Sequence, residues 1–164
     1  ADHAAVRAMA QTSEGRVLVA GATEEGSALY LAANGCQVTA VHRETQALER
    51  VRVAANEAGL AERVRAVATD LTTWKPDAPL TAVICAPAAL AGLNMKDRRR
   101  VIEVLQSATA EGGVHLMQTV AAGKRRKMPS LDELRKRYRG WLVTVDEPGA
   151  DGSVNTFMAR KEIA

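Results

Sequence analysis

The sequence predicts an α/β fold: a Rossmann-like, doubly wound and mostly parallel sheet with helices on both faces. Short apolar runs alternate along the chain with longer segments whose apolar residues recur at helical spacing. The first run, residues 16–20, is apolar at the four successive positions 17–20, as a strand buried on both faces requires. The last two runs are separated by Pro148-Gly149 and Asp151-Gly152, which predict an antiparallel hairpin at one edge of the sheet.

The individual elements follow in order from these patterns. An amphipathic helix over residues 4–10, with Val6 and Met9 on one side, is predicted before the first strand. The predicted strands cover residues 16–20, 37–41, 64–68, 80–85, 113–119, 141–145 and 154–160. The predicted helices cover residues 26–34 and 45–58, and two more begin at Asn94 and at Ser130, the last ending near residue 138.

Capping residues predict where these helices begin and end. Gly35 and Gly59 are placed as C-terminal stops, because glycine readily adopts the left-handed conformation that ends a helix. Asn94 is placed as an N-cap, and Ser130-Leu-Asp-Glu133 predicts a capping box. The residues expected on buried helix faces are Leu48, Val51, Ala55, Ala58, Val101, Val104, Leu105 and Ala108.

The composition predicts a single cytoplasmic domain over residues 1–164. Apolar residues make up 47% of the chain and charged residues 25%, with no run long enough to span a membrane. Aromatic residues make up only 3%, which argues against a nucleic-acid surface built on base stacking. Cys36 and Cys85 lie in predicted strand contexts and fit buried, reduced thiols, and no residue spacing indicates a metal site.

Residues 15–44 join a strand, a glycine turn, a helix of small residues and a second strand, the frame that presents a nucleotide-like ligand at the edge of a parallel sheet. With three later segments, this frame resembles the class I S-adenosylmethionine (SAM)-dependent methyltransferases, nearest to the small tellurite-resistance-type methyltransferases. Within the frame, the string that carries the resemblance is VLVAGATEEGSALYLAANGCQVTAV. The three later segments are ALERVRVAANEAGLAERVRAVATDL, DRRRVIEVLQSATAEGGVHLM and SLDELRKRYRGWLVTV with the closing VNTFMARK. The resemblance implies SAM as cofactor and a seven-stranded sheet of order 3-2-1-4-5-7-6, with strand 7 antiparallel.

The resemblance places the first cofactor contacts in the turn after the first strand. The family carries an acidic residue and three glycines there, in the pattern D-x-G-x-G-x-G. Val19 replaces the acid, Gly21 keeps the first glycine, and Thr23 and Glu25 replace the next two. Gly21, Ala22 and Thr23 are the expected contacts, and the missing acid and glycines predict that SAM binding is weak or lost.

The remaining cofactor contacts implied by the resemblance follow the second, third and fourth strands. The family's second acid accepts hydrogen bonds from the ribose hydroxyls, but His42 stands there, followed by Arg43. A neutral imidazole accepts only one hydrogen bond, so this anchor is also weakened. Asp70 keeps the position that binds the adenine amino group, with Leu71 beside it, although a solvated carboxylate at a strand end is an equally good interpretation. Ala86, after the fourth strand, completes the set.

His42 and Arg43 also allow a different interpretation, because a basic residue after the second strand suits the 2′-phosphate of NADP. The strings VLVAGAT, VTAVHRE and TAVICA are similar to those of atypical short-chain dehydrogenases. The glycine spacing differs from that group, however, and no Tyr-x-x-x-Lys pair exists. The methyltransferase resemblance is therefore preferred.

A cluster of four adjacent cations follows the fifth predicted strand, at the edge of the sheet where ligands enter. Its members are Lys124, Arg125, Arg126 and Lys127. They predict a site for an anionic substrate, a phosphate or an acidic protein partner, and the alternative is a solvated loop. Residues 98–100 and 135–139 are also basic, and both are expected to be solvated helix faces.

The sequence predicts no catalytic residue. Residues 85–90, CAPAAL, provide no general base, Cys85 is predicted to be a packed thiol, and His115 is predicted to be a satisfied core residue. Methyl transfer depends chiefly on alignment of the acceptor with the sulfonium, so no fixed set of residues is required. Two functions remain open: a small-molecule methyltransferase with an altered SAM site, and an inactive methyltransferase-like binding or scaffold domain that could belong to a larger protein.

Overall fold

The computed structural model describes residues 15–22, 24–120, 128–150 and 153–163. Within these ranges the strands are Arg16–Ala20 (β1), Gln37–His42 (β2), Val64–Ala68 (β3), Leu80–Cys85 (β4), Thr109–Val120 (β5), Leu142–Glu147 (β6) and Val154–Arg160 (β7). The helices are Gly26–Ala33 (α1), Thr45–Glu57 (α2), Pro87–Leu90 (α3), Met95–Ser107 (α4) and Leu131–Arg137 (α5). The helix predicted over residues 4–10 lies outside the described residues.

The strands form a seven-stranded sheet of order β3-β2-β1-β4-β5-β7-β6, which confirms the predicted order. Strands β3, β2, β1, β4 and β5 pair in parallel, whereas β7 pairs antiparallel with both β5 and β6. An all-parallel, six-stranded sheet would have favoured the dehydrogenase interpretation. The parallel strands bring their carboxyl ends to one edge, where the predicted cofactor residues follow.

Two apolar clusters cover the two faces of the sheet, because successive side chains of a strand point to opposite sides. Val17 and Val19 of β1 belong to a first cluster, which α1 and α2 cover. Leu18 and Ala20 belong to a second cluster, which α4 and α5 cover. Burial on both faces explains why residues 17–20 are all apolar.

Most of the predicted capping residues take their expected roles. Gly35 and Gly59 have φ angles of 97° and 72°, and each follows the C-terminal end of a helix. The Asn94 side chain accepts a hydrogen bond from the Asp97 amide at 2.8 Å, as an N-cap does. Ser130 likewise accepts from the Glu133 amide at 3.0 Å.

The predicted capping box is nevertheless only half formed, because the Glu133 side chain binds elsewhere. Both of its carboxylate oxygens accept hydrogen bonds from Arg98, at 2.6 and 2.9 Å. Arg98 is only 3% exposed, so the prediction that it belongs to a solvated helix face is wrong. A fork of N–H donors that meets a carboxylate in two parallel bonds is a favourable geometry for a buried arginine.

Several smaller predictions also need correction. Ala58 is exposed, whereas Ile102 is fully buried although it was not expected on the buried face of its helix. β5 begins at Thr109 instead of residue 113, because Thr109 already pairs with Leu80 before the register shifts. Gly112 lies in that irregular segment with a φ angle of 79°, so the apolar pattern was interrupted there.

Candidate functional site

A small cleft lies at the carboxyl ends of β1, β2 and β3, against α3. Its lining residues are Ala20, Gly21, Val41, His42, Arg43, Thr69, Asp70, Leu71, Ala88 and Ala89. The fold therefore brings together Gly21, His42, Arg43, Asp70 and Leu71, which are predicted cofactor contacts from separate segments of the sequence. The volume of the cleft is about 20 Å³, which is close to the space that one water molecule needs.

The cleft is small because α3 packs directly on the turn after β1. Gly21 has a φ angle of +73°, and its amide donates to the Val41 carbonyl at 2.9 Å. A Cβ atom on Gly21 would lie 2.8 Å from Cα and 2.9 Å from Cβ of Ala89, and closer still to the Ala89 nitrogen. Ala89 is not among the residues predicted from the sequence, although the small residues of CAPAAL were a signal that backbones could approach closely there.

The predicted residue Ala86 helps to hold α3 in this position. Its amide donates to the Ala20 carbonyl at 2.9 Å, and its carbonyl accepts from the Ala89 amide at 3.0 Å. Ala86 does not line the cleft itself. Ala22 instead packs against the first apolar cluster, and Thr23 lies outside the described residues.

His42 presents a hydrogen-bond donor where the methyltransferase resemblance implies an acceptor. Its Nδ1 accepts from the Glu44 amide at 2.9 Å, so Nδ1 carries no proton and Nε2 of the neutral ring does. The residue is 8% exposed, and Nε2 is buried without a partner among the described residues. An unpaired buried donor is unfavourable, so a ligand atom that accepts from Nε2 would be stabilising.

Asp70 lines the cleft and also organises its own turn. One carboxylate oxygen accepts from the Thr72 amide at 2.9 Å and from the Thr72 hydroxyl. These hydrogen bonds lower the pKa of the Asp70 carboxyl below its ordinary value, and the nearby charge of Arg43 lowers it further. Asp70 is therefore an ionised acceptor at neutral pH, and part of its hydrogen-bonding capacity is already used.

Val19, at the position of the family's first acid, belongs to the core of the protein. It is 2% exposed and packs in the first apolar cluster. A carboxylate at this position would be surrounded by apolar side chains and would lose its hydration. The replacement of the acid by valine therefore changes the packing of this turn as well as its charge.

Cys85 is a packed thiol, as predicted, and not a nucleophile. It is fully buried at the end of β4, and burial raises its pKa to about 12. The thiol consequently stays protonated at neutral pH, whereas the thiolate is the reactive form. Cys36 is also a buried thiol outside any disulfide, as expected.

His115 is a satisfied core residue, as predicted, within a directed chain of hydrogen bonds. The Thr109 hydroxyl donates to the Leu105 carbonyl at 2.6 Å, so it must accept from His115 Nε2 at 2.7 Å. His115 Nδ1 therefore accepts from the Tyr138 hydroxyl at 2.6 Å. Burial, with a smaller effect from the charge of Lys161, lowers the pKa of His115 to about 3.

The cleft at the strand ends is small for SAM, the cofactor that the resemblance implies. Ligand pockets commonly have volumes of roughly 300–1,000 Å³, whereas this cleft measures about 20 Å³. The two acids that would bind the cofactor are replaced by Val19 in the core and by the donor His42.

The basic residues Lys124, Arg125, Arg126 and Lys127 lie outside the described residues. Within the described ranges, no group of three or more His, Cys, Asp or Glu residues is placed to hold a metal ion, and no helix is long and apolar enough to cross a membrane.

Comparison with solved structures identifies the fold. The structure of TehB from Haemophilus influenzae superimposes with a TM-score of 0.78 at 17% identity, covering 98% of this chain and 62% of TehB. The N-methyltransferase NodS from Bradyrhizobium japonicum WM9 gives a TM-score of 0.81 at 14% identity, covering 98% of this chain and 94% of NodS. The glycopeptide N-methyltransferase MtfA gives 0.71 at 16% identity, covering 96% and 89%.

These identities are low, so the structural likeness by itself establishes the methyltransferase fold alone. This chain spans about three fifths of the length of the TehB structure. No curated protein sequence matches the chain significantly. The sequence model of one family, described as tellurite resistance protein TehB, matches residues 1–146. Because this match covers most of the chain and the fold agrees with it, the chain belongs to the TehB family of methyltransferase-like proteins.

Proposed function

We propose that this chain is a SAM-dependent methyltransferase-like protein whose SAM site is degraded, so that it binds a small molecule but is weakly active or inactive as a methyltransferase. The observation that carries this proposal is the packing of Ala89 on Gly21, which leaves a cleft of about 20 Å³. The same contact limits how deeply a cofactor of the size of SAM could enter between β1 and α3. Leu90, whose side chain is 2% exposed, anchors that helix in the second apolar cluster.

The polarity of the cleft also supports weak SAM binding. A ribose hydroxyl would meet the His42 Nε2–H donor instead of a carboxylate that accepts from two hydroxyls. Hydrogen bonds to charged groups contribute roughly 1.5–3 kcal/mol each, so the loss of such a pair weakens binding by about two to four decades. The positive charge of Arg43 beside His42 further disfavours a cationic sulfonium compound.

The residues after β4 support a role in binding more than one in catalysis. Pro87–Leu90 contributes only apolar side chains, and the Cys85 thiol is buried and protonated. Asp70 and His42 are the ionisable residues of the cleft whose side chains form defined hydrogen bonds. The same features favour an inactive binding domain as the alternative form of this proposal, in which no methyl transfer takes place.

Isothermal titration calorimetry with SAM and with its demethylated product tests the proposal. We expect the wild-type dissociation constant for SAM to be weaker than about 10 μM. His42→Asp should tighten SAM binding, and His42→Asn, which is similar in size but uncharged, is the matched control. Val19→Asp is unsuitable for this purpose, because Val19 is a core residue.

One result would contradict the proposal, namely tight, stoichiometric SAM binding by the wild-type protein at low micromolar concentration. Equal SAM affinity in His42→Asp and His42→Asn would show that the packing of Ala89 on Gly21, and not the missing carboxylate, limits binding. Thermal unfolding of each variant establishes that both remain folded.

A further inference from the structure

A second pocket lies between the segment that follows β3 and helix α4, and the proposed SAM-related function does not use it. Its lining residues are Leu71, Thr72, Trp74, Lys75, Asp97, Arg100, Val101 and Val104, and its volume is about 100 Å³. It is therefore about five times as large as the cleft at the strand ends. The two sites adjoin, because Leu71 lines both of them.

One side of this pocket is apolar and well anchored. Leu71 and Val101 are 7% and 3% exposed and belong to the second apolar cluster. Trp74 is half-buried and packs on the same cluster, and its amide donates to the Asp70 carbonyl at 3.0 Å. The indole ring and the valine side chains provide a firm surface for a flat, apolar group.

The rim of the pocket carries two cations that have no ion-pair partner among the described residues. The three arginines of residues 98–100 differ in this respect. Arg98 pairs with Glu133 at 2.6 Å, and Arg99 pairs with Glu103 at 3.2 Å. Arg100 lines the pocket without an ion pair to any described residue, as does Lys75. Both side chains are exposed and available to an anion.

The charge of the rim also limits the kind of anion that would be favourable. Asp97 lines the pocket three residues before Arg100 and forms no ion pair with a described residue. Two cations and one carboxylate give a net charge of +1, which suits a monoanion better than a phosphate dianion. The planar guanidinium of Arg100 matches the geometry of a carboxylate, which it can bind with two parallel hydrogen bonds.

We propose that this pocket binds a small carboxylate with a single aromatic ring. The ring lies against Trp74, Val101 and Val104, and the carboxylate binds Arg100 and Lys75 at the rim. An engineered protein cavity of about 150 Å³ holds benzene, so an open pocket of about 100 Å³ takes most of one ring while the carboxylate stays near solvent. This assignment is independent of whether the cleft binds SAM.

Benzoate is the probe, and calorimetric titration of the full chain at low salt is the first measurement. A ligand of this size should bind with a dissociation constant on the order of 0.1–1 mM. Benzamide has nearly the same shape but no charge, and it should bind about tenfold more weakly. In ¹H–¹⁵N spectra, benzoate should shift the indole N–H signal of Trp74. Trp141, which stacks with His115 and Tyr138, is the internal control.

Three single substitutions test the roles of the rim residues. Arg100→Gln should weaken benzoate binding about tenfold, whereas Arg99→Gln, on the same helix but paired with Glu103, should change it less than about twofold. Asp97→Asn should strengthen binding about twofold or more, because it removes a negative charge from the rim. Benzoate affinity should change in opposite directions in Asp97→Asn and Arg100→Gln. A general loss of stability would instead weaken binding in both variants.

Any of three results would overturn the assignment. The first is no binding of benzoate at about 10 mM. The second is equal affinity for benzoate and benzamide. The third is equal weakening by Arg100→Gln and Arg99→Gln, which would indicate general electrostatic attraction. Benzoate binding is measured without SAM, so failure of the SAM titration leaves this result unaffected.

Discussion

Gly21 and Ala89 are in such close contact that the first has no room for a side chain. A Cβ atom on Gly21 would lie 2.8 Å from the Ala89 Cα atom, and the φ angle of Gly21 is +73°. The glycine is therefore required both by its backbone conformation and by the helix α3 packed above it. This contact narrows the cleft at the carboxyl edge of the sheet.

Substitution of Gly21 should separate the cost of its left-handed backbone from the cost of packing a side chain against Ala89. Gly21→Ala should lower the free energy of unfolding by about 1–2 kcal/mol for the left-handed backbone, and by about 1–3 kcal/mol more for the overpacking against Ala89. Gly59→Ala is the matched control, because Gly59 has a φ angle of +72° but no atom within 4 Å of the point that an added Cβ would occupy. Urea denaturation measures the free energy of unfolding of both variants. Equal losses in the two variants would show that the contact with Ala89 is unimportant.

The buried ion pair between α4 and α5 should be important for stability. Glu133→Gln should lower the free energy of unfolding by about 3 kcal/mol or more, because Arg98 would remain buried without its counter-charge. Glu103→Gln removes the partner of Arg99 from an exposed pair and should change stability by less than about 0.5 kcal/mol. Thermal or urea denaturation of the two variants compares them directly. A small effect of Glu133→Gln would mean that the Arg98 charge is solvated.

The buried His115 should make stability depend on pH. Its pKa falls from 6.5 to about 3 on folding because the ring is buried, so the unfolded chain binds more protons in that range. Stability due to the neutral ring is therefore fully present above about pH 6.5 and is lost progressively as the pH falls, by at most about 1.4 kcal/mol per pH unit. Urea denaturation between pH 7 and 5 should show this slope.

His115→Gln is the control for that pH dependence. The variant removes the titrating group, so the decline between pH 7 and 5 should become shallower even if the variant is less stable throughout. Most carboxylates titrate below this range, and the pKa of Asp70 is lowered further. An unchanged slope would show that other groups cause the acid sensitivity.

The basic residues after β5 remain a proposed anion site. Replacement of Lys124, Arg125, Arg126 and Lys127 by Ala should abolish salt-sensitive binding of inorganic pyrophosphate, because the cluster would supply the local positive potential. Binding by the wild-type chain should weaken between low and physiological salt, as exposed charges are screened. Calorimetry at two salt concentrations measures both effects.

A control variant with the same change in net charge tests this site. Exposed cations elsewhere on the surface can be replaced together by Ala, namely Arg52, Arg65, Arg99 and Lys136. This variant should retain most of the pyrophosphate affinity. If it loses as much affinity as the first variant, the total charge of the protein accounts for binding and the proposed cluster does not.

Much of the fold could be predicted because its signals are local. The four apolar positions 17–20 predicted a strand covered on both faces, and Asn94 and Ser130 act as the N-caps they were expected to be. Gly35 and Gly59 end their helices as predicted. Each of these features depends on residues a few positions apart, so the sequence pattern contains the relevant interactions.

The candidate site was predictable only in part. The sequence placed His42 and Asp70 at one edge of the sheet, because both follow parallel strands, and the structure shows both in one cleft. The sequence did not show that Nδ1 of His42 is occupied by the Glu44 amide, nor that the other ring nitrogen is left unpaired among the described residues. Both properties depend on the orientation of one ring within a packed surface.

The sequence by itself predicted the seven strands, four of the five helices in the described residues and the burial of β1 on both faces, and its resemblance predicted a methyltransferase-like class. Other features emerged only when the chain was folded: Ala89 closes over Gly21, Arg98 is buried against Glu133, and Arg100 lies without a described ion-pair partner beside an apolar pocket. These partners are far apart along the chain. Contacts between distant residues arise from how helices pack on the sheet, and local patterns of hydrophobicity and charge do not specify them.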